Sequence, residues 1–269
     1  MGTFPSSDLI SLSRRQRTTA FVLGALAIVA FVASSNRMSG MDMGGQFTAG
    51  SLGFFIVLWV MMMAAMMFPS VWPAVAMFGL VVQRQASSGA STVGRSIAFI
   101  TGYLASWTLF GLAAFGLLTL ARSVGLDNLN DTELARYVVA PVALAAALYQ
   151  LVPIKQACLT QCRGPFSFFL THWRDGWQGA LAMGSRHGAF CVGCCWMLMV
   201  VLLALGVMSI AWMAVVSLAI AIEKLAPPKW SRLASGVLVA GLVMLALVAL
   251  VKPSWLPGLN GTSQMEKMA

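Results

Sequence analysis

Residues 233–251 read LASGVLVAGLVMLALVALV, a run that contains no charged side chain. A helix needs about 20 predominantly apolar residues to cross the hydrocarbon core of a bilayer. Closed β-barrels also span membranes, but their strands alternate apolar and polar residues. The run at 233–251 does not alternate, so it predicts a transmembrane helix.

The composition of the whole chain supports the same interpretation. Of its 269 residues, 59% are hydrophobic and only 9% are charged, and the mean hydropathy is +0.84. A soluble domain carries about 25% charged residues. We therefore expect an all-α fold, a polytopic transmembrane helical bundle.

Seven apolar stretches are long enough to count as spans, and together they define one helical domain at 19–252. A polar tail at 1–18 precedes this domain and a second tail at 253–269 follows it. The first stretch lacks a convincing cleavage site, so it predicts a retained helix rather than a signal peptide. Pro69 and Pro73 predict a kink or break in the second stretch. The predicted spans are 19–35, 52–82, 96–121, 134–152, 180–206, 209–226 and 233–252.

The basic residues are distributed unevenly over this arrangement. The formal net charge is +9, from 17 Lys and Arg against eight Asp and Glu. If the N-terminus is on the inner side, twelve of the 17 basic residues lie on that side. Because Lys and Arg accumulate in cytoplasmic loops, we expect a multi-pass protein of a bacterial inner membrane, with a cytoplasmic N-terminus and the C-terminus outside. No basic face with interleaved aromatic residues is present, so a nucleic-acid partner is not expected.

The stretch CVGCCWMLM at residues 191–199 places three cysteines within an apolar helix. Cys191, Cys194 and Cys195 are spaced i, i+3 and i+4, so they share one helix face. His187 lies one turn earlier on the same stripe. Thiols and an imidazole facing the interior of a bundle are soft or borderline ligands, which suit copper(I), zinc or iron–sulfur clusters.

A second cysteine pair, Cys158 and Cys162, lies in the long inner loop predicted between Pro153 and Gln178. Its i, i+4 spacing suits one helical turn that ends at Gly164. If the loop folds back, all five thiols converge near the inner membrane face. Two other interpretations stay open: cysteines that pack as small apolar residues, and a redox-active Cys-x-x-Cys pair.

Methionines form two further clusters of candidate ligands. MSGMDM at 38–43 lies in the first predicted outer loop, where thioethers suit copper(I) and thiols would be oxidised. MMMAAMM at 61–67 lies within the second span, and its methionines serve either as packing residues or as steps of a thioether relay across the membrane. The candidate ligands are Met38, Met41 and Met43 in the first cluster and Met62, Met63 and Met66 in the second.

The motifs WVMMMAAMMFPS, YQLVPIKQACLTQCRGP and GAFCVGCCWMLM, followed by IEK, resemble a known set of proteins when they are taken together. This is the bacterial family of predicted metal-binding integral membrane proteins, a domain of unknown function, and the resemblance covers about residues 50–226. It implies a metal-binding membrane protein but supplies no reaction. The residues to which it points are Met61 through Met67, Lys155, Cys158, Cys162, Gly193, Cys194, Cys195 and Glu223.

These patterns predict a protein that binds a soft transition metal, copper(I) first and zinc as the alternative, for transport, delivery or homeostasis of the metal. The expected partners are the lipid bilayer and a protein that donates or accepts the metal. Glycine-rich helix faces also allow an oligomer or a larger membrane complex. The rival hypothesis is a membrane subunit or assembly factor whose cysteines are structural or redox-active and hold no metal. An enzyme is not expected, because the sequence has no P-loop, no catalytic triad spacing and no paired acids.

Overall fold

Eight α-helices account for most of the chain that can be described. The computed structural model describes residues 52–85, 92–124, 133, 135–205 and 210–252, and these contain no β-strand. The all-helical class predicted from the sequence is therefore confirmed for these residues. In chain order the helices are α1 (Leu52–Gln85), α2 (Thr92–Ser123), α3 (Ala140–Leu151, preceded by a π-helical turn at Ala135–Val139), α4 (Pro153–Arg163), α5 (Pro165–His172), α6 (Gly176–Ala204), α7 (Ile210–Leu225) and α8 (Pro228–Val251).

Fewer helices than predicted are long enough to cross a membrane. Four qualify within the described ranges, and α3 with α4 makes a fifth if this bent pair is one span. The structure therefore does not support the count of seven. The predicted span at 19–35 lies outside the described residues. The predicted span at 209–226 is α7, whose 16 residues extend only about 24 Å, less than a typical hydrocarbon core. The four spans are Phe55–Gln83, Thr92–Leu120, Gly176–Ala204 and Lys229–Val251.

The segment predicted as a long inner loop is largely helical, which corrects that prediction. The chain turns by 66° between α3 and α4, where Val152 has an extended backbone. A residue that precedes a proline avoids helical backbone angles, and proline itself suits the first turn of a new helix. Pro153 and Pro165 accordingly begin α4 and α5. Gly164 ends α4, as the sequence predicted for the turn that carries Cys158 and Cys162.

α1 is one continuous helix that contains both of its prolines, so the predicted break is absent. It packs against α2 in the antiparallel direction. Near one end of the pair, the indole Nε1 of Trp59 donates a hydrogen bond to the carbonyl oxygen of Trp107 at 2.9 Å. Toward the other end, the rings of Phe78 and Phe99 stack with centroids 4.8 Å apart.

α2 and α6 lie side by side and run in the same direction, with glycines at their contact. A Cβ added to Gly184 would collide with the carbonyl group of Phe99, and one added to Gly188 would lie 2.8 Å from the carbonyl oxygen of Tyr103. Small residues at such positions let two helix backbones approach closely. This close contact fixes the position of α6 along its axis relative to Tyr103.

Large apolar side chains cover the outer faces of several helices. Isolated apolar residues are common on any protein surface, but a contiguous apolar exterior indicates contact with a partner or a membrane. These faces, together with the apolar spans, are consistent with contact with lipid. Examples are Leu109, Leu117, Leu148, Leu218, Val237 and Met244.

Candidate metal site

The three cysteines of α6 form a compact group of thiols. The Sγ atoms of Cys191, Cys194 and Cys195 all lie within 4.8 Å of one another, and each residue is no more than 2% exposed. The thiols of Cys194 and Cys195 both donate hydrogen bonds to the carbonyl oxygen of Cys191, at 3.1 and 2.9 Å. The i, i+3, i+4 spacing and this shared acceptor together explain why the three sulfurs converge. We call these residues the thiol triad.

Cys191 is the member of the thiol triad that contacts other helices. Its Sγ lies 3.0 Å from the Nζ of Lys224 on α7 and 3.0 Å from the hydroxyl of Tyr103 on α2. The thioether sulfur of Met67 on α1 lies 4.0 Å away. One sulfur is therefore surrounded by an ammonium group, a hydroxyl and a second sulfur, each from a different helix.

Lys224 is a buried lysine whose partners are not carboxylates. Besides Cys191, its Nζ contacts the hydroxyl of Ser70 at 3.4 Å, and the residue is 7% exposed. Within the part of the chain that the structure describes, no carboxylate lies within ion-pair distance of it. A buried charge is costly unless it is paired, so the thiol of Cys191 is the group placed to balance this ammonium.

The α4 cysteines lie against the thiol triad, and both are only half-buried. A Cβ added to Gly193 of α6 would lie 2.8 Å from the Sγ of Cys158, so the glycine makes room for that thiol. Cys158 and Cys162 both pack against the buried core that contains Cys191, Cys194 and Cys195. The segment thus folds back against α6 as the sequence predicted, and the role of its two thiols as metal ligands stays a prediction.

A buried ion pair attaches α4 to α7. The Nζ of Lys155 lies 2.6 Å from a carboxylate oxygen of Glu223, and both side chains are at most 3% exposed. Lys155 also donates to the side-chain oxygen of Gln150. The hydroxyl of Ser235 on α8 donates to the Glu223 carboxylate at 2.5 Å. At the other end of α4, Arg163 donates to the carbonyl oxygen of Ala226 at 2.5 Å.

His187 lies on the same stripe of α6 but outside the thiol triad. It is 2% exposed and packs among the rings of Phe99, Tyr103 and Phe168, with centroids 5.1 to 6.3 Å away. Its Nδ1 has no hydrogen-bond partner among the described residues. The structure places this imidazole in an aromatic pocket one turn from Cys191, and its role as a ligand stays a prediction.

The predicted methionine ligands are only partly described. Met62, Met63 and Met66 are buried in the protein core, and their role as ligands stays a prediction. The methionine that contacts the thiol triad is instead Met67, one residue beyond the last of the three. Met38, Met41 and Met43 lie outside the described residues.

Sequence reasoning missed Met67, Tyr103 and Lys224 as neighbours of the cysteines. For Lys224 a signal existed, since a charge at the end of an apolar helix next to Glu223 invites a functional hypothesis. For Tyr103 no local pattern sets it apart. Its role depends on which helices pack together, and a single sequence does not contain that information.

A protein-family model described as PpoB2, copper chaperone, matches residues 56–250. The chain belongs to the PpoB2 copper chaperone family. The match covers every residue of the site described above, from Met67 to Lys224 and Ser235. It agrees with the predicted metal-binding class, whereas the membrane character depends on the apolar helices. The curated proteins and the solved structures contain no match to the chain.

Proposed function

We propose that this protein is an integral membrane protein that binds copper(I) through the thiol triad and delivers it to another protein. The observation that carries the proposal is the position of three buried sulfurs within 4.8 Å of one another in a member of a copper chaperone family. Copper is the cargo in this proposal. The protein acts by binding and release rather than as an enzyme.

The ligand types favour copper(I) over zinc. Thiolates suit both metals, but a thioether suits copper(I), and structural zinc sites are built from Cys and His in sets of four. Beside Cys191 the structure places the thioether of Met67 at 4.0 Å. The imidazole of His187, a type of ligand that zinc sites often use, lies outside the thiol triad.

The charge at the site also fits a thiolate-bound monovalent ion. Three thiolates around one copper(I) ion leave a net negative charge, which is costly in a buried place unless a cation balances it. The ammonium of Lys224, 3.0 Å from the Cys191 sulfur, supplies that positive charge. Without the ammonium of Lys224, the negative charge of three thiolates and one copper(I) ion would lack this buried cation.

The proposal places the protein in a bacterial inner membrane with its N-terminus in the cytoplasm. The support is the excess of Lys and Arg on one side, since basic residues accumulate in cytoplasmic loops. It also includes two crossings beyond those counted in the described residues, one at 19–35 and one by α7, whose shorter length a locally thinner bilayer would accommodate. With α3 and its preceding turn as the span predicted at 134–152, this gives the predicted total of seven.

The experiment that tests the proposal is metal analysis of protein purified in mild detergent under reducing, anaerobic conditions. The parent would be compared with a Cys191/Cys194/Cys195→Ser triple variant by mass spectrometry of copper and zinc. The matched control is Ala189→Ser, which adds one hydroxyl to an exposed position of the same helix. We expect about one copper per chain in the parent and the control, and none in the triple variant.

The other outcomes separate the rival functions. Zinc in place of copper, lost in the triple variant, would keep the site and change the cargo. A folded parent without any metal would contradict the proposal and favour a membrane subunit with structural or redox-active thiols.

A further inference from the structure

The neighbours of Cys191 lie at one level of the helical bundle. The antiparallel helices α1 and α2 contribute Met67 and Tyr103. α7 runs parallel to α1, contacts it through Lys224 and Ser70, and contributes Lys224. Five helices continue from this level for about 13–20 residues to one end of the bundle, namely α1, α2, α6, α7 and α8. At 1.5 Å per residue these segments are about 20–30 Å long. Only the longest of these segments, on α2, matches one hydrocarbon core. The helix ends on that side are Leu52, Ser123, Ala204, Ile210 and Val251.

Lys224 is the last residue but one of α7, so the thiol triad lies level with the turn between α7 and α8, and we call the side of this turn the near side. On the near side, α7 ends at Leu225 and α8 begins at Pro228, and the longer helices α1, α2 and α6 continue beside α4 and α5. On the far side the helices form an apolar barrier. The short path from the triad to a helix end is the one past Lys224 to the turn between α7 and α8.

Basic residues are concentrated on the near side. A positive bias of this kind marks the cytoplasmic side of a membrane protein, so the short path leads to the cytoplasm. The near-side basic residues are Arg95, Arg163, Arg174, Arg186, Lys229 and Arg232, against Arg122, Arg136 and Lys252 at the far end.

The end of α4 adjoins this short path, because Arg163, the residue after Cys162, donates a hydrogen bond to the carbonyl oxygen of Ala226 in that turn. The two thiols of α4 are more exposed than those of the thiol triad. Cys158 and Cys162 are half-buried, whereas Cys191, Cys194 and Cys195 are buried. Both α4 cysteines nevertheless pack against the buried core that contains the thiol triad, and the Sγ of Cys158 lies beside Gly193, the residue before Cys194. The α4 thiols thus lie between the buried triad and a more exposed surface.

We propose that Cys158 and Cys162 form an exchange site, through which copper(I) passes between the thiol triad and a cytoplasmic carrier that holds it by thiolates. This rests on the proposed function and adds the route and the type of partner. In each step a Cu–S bond forms to one of these two sulfurs while a Cu–S bond to the donor breaks. Copper stays copper(I), and the proton lost by the accepting thiol passes to the departing thiolate.

The test measures the rate at which bathocuproine disulfonate, a water-soluble copper(I) chelator, removes copper from the loaded protein in detergent. The variant is Cys158→Ser/Cys162→Ser, and the matched control is Ala157→Ser on the exposed face of the same helix. We expect the variant to retain the copper content of the parent but to release copper at least about 10-fold more slowly. The control should release it at the parental rate.

Two results would overturn the exchange site while leaving copper binding intact. One is an unchanged release rate in the double variant. The other is loss of bound copper as complete as in a Cys191→Ser variant, because the α4 thiols would then be ordinary ligands of the same site. Absence of copper from the parent would instead contradict the proposed function itself.

A second measurement needs no variant and so does not depend on how the substitutions fold. A membrane-impermeant maleimide is applied to the metal-free parent in sealed vesicles of each orientation, and labelled cysteines are identified by peptide mass spectrometry. We expect fast labelling of Cys158 and Cys162 from the cytoplasmic face only, and slow labelling of the thiol triad. Equal labelling rates for all five cysteines, or labelling of α4 from the outer face, would contradict the route.

Discussion

Two of the lysines that the structure describes are buried, and they differ in the group that faces the ammonium. Lys155 on α4 meets the carboxylate of Glu223 at 2.6 Å and a side-chain oxygen of Gln150. Lys224, the residue next to Glu223, meets the sulfur of Cys191 at 3.0 Å and a hydroxyl at 3.4 Å. The first ammonium faces an acid, and the second faces a thiol.

The difference indicates two roles. A carboxylate balances Lys155 whether or not a metal is bound, so this pair holds α4 against α7 permanently. A thiol carries full negative charge only as thiolate, the form that binds metal ions. The counter-charge of Lys224 is therefore strongest when copper is present. We infer that Lys155 serves the fold and that Lys224 serves the cargo.

The largest effect is expected for Lys155→Met. It leaves the Glu223 carboxylate buried without its cation, and removal of one partner of a buried ion pair costs about 3–5 kcal/mol. The free energy of unfolding in mild detergent, followed by tryptophan fluorescence, should fall by about that amount.

The matched control for this prediction is the double variant Lys155→Met/Glu223→Gln. It removes both charges and keeps an acceptor for the hydroxyl of Ser235, so most of the lost stability should return. If the double variant is as unstable as the single one, the ion pair is not what holds α4 in place.

An intermediate effect is expected for Lys224→Met, and it concerns copper(I) affinity rather than stability. Methionine fills a similar length without a charge, and replacing a buried charge by an apolar group is often neutral or stabilising. The metal-free protein should keep its stability within about 1 kcal/mol. Its affinity for copper(I), measured by competition with a chelator, should fall at least about 10-fold, which corresponds to about 1.4 kcal/mol.

Lys224→Arg sharpens the same comparison because it keeps the positive charge. We expect it to recover part of the lost affinity, although the planar guanidinium has a different shape. An affinity that is the same in all three proteins would show that Lys224 has no part in holding the cargo.

The smallest effects are expected at the hydroxyls that flank the two lysines. Ser235→Ala removes a 2.5 Å bond to Glu223 and should cost about 1 kcal/mol of stability, the usual value for one hydrogen bond. Ser70→Ala removes a 3.4 Å contact with Lys224, which is too long for a strong hydrogen bond. Unfolding and copper titrations should then show a stability loss for Ser235→Ala and a change of less than about twofold in affinity for Ser70→Ala.

The part of the site that could be predicted is the part encoded by one helix. Spacing alone places Cys191, Cys194 and Cys195 on one face, because residues three and four apart are neighbours on a helix. The turn that carries Cys158 and Cys162 follows equally from its spacing and from Gly164. These local relations need no knowledge of the neighbouring helices.

The remainder depends on packing between helices that are distant in sequence. Tyr103 is 88 residues from the sulfur that it contacts, and Met67 is 124 residues away. In the MMMAAMM stretch the composition marks a cluster, but the rotation of α1 decides that Met67 faces Cys191. The orientation of one helix about its axis is set by its neighbours, and no local pattern records it.

The helices also divide into those that the local sequence predicts and those that depend on packing. The apolar runs predict α1, α2, α6 and α8 nearly at their observed positions, since length and hydropathy suffice for long spans. The sequence predicts a loop at 153–178 with a single helical turn at Cys158 and Cys162, whereas the structure has the complete helix α4 there. It is a helix because Pro153 begins it and contacts with α6 and α7 stabilise it.

The wide separation in sequence of the residues around Cys191 also has a consequence for biosynthesis. The thiol triad is translated before Lys224, which lies 33 residues beyond Cys191, and a nascent chain that ends between them carries three thiols without their cation. The complete set of neighbours exists only after α7 has left the ribosome and docked beside α1. Under the proposed function, copper would therefore load the assembled protein rather than the growing chain.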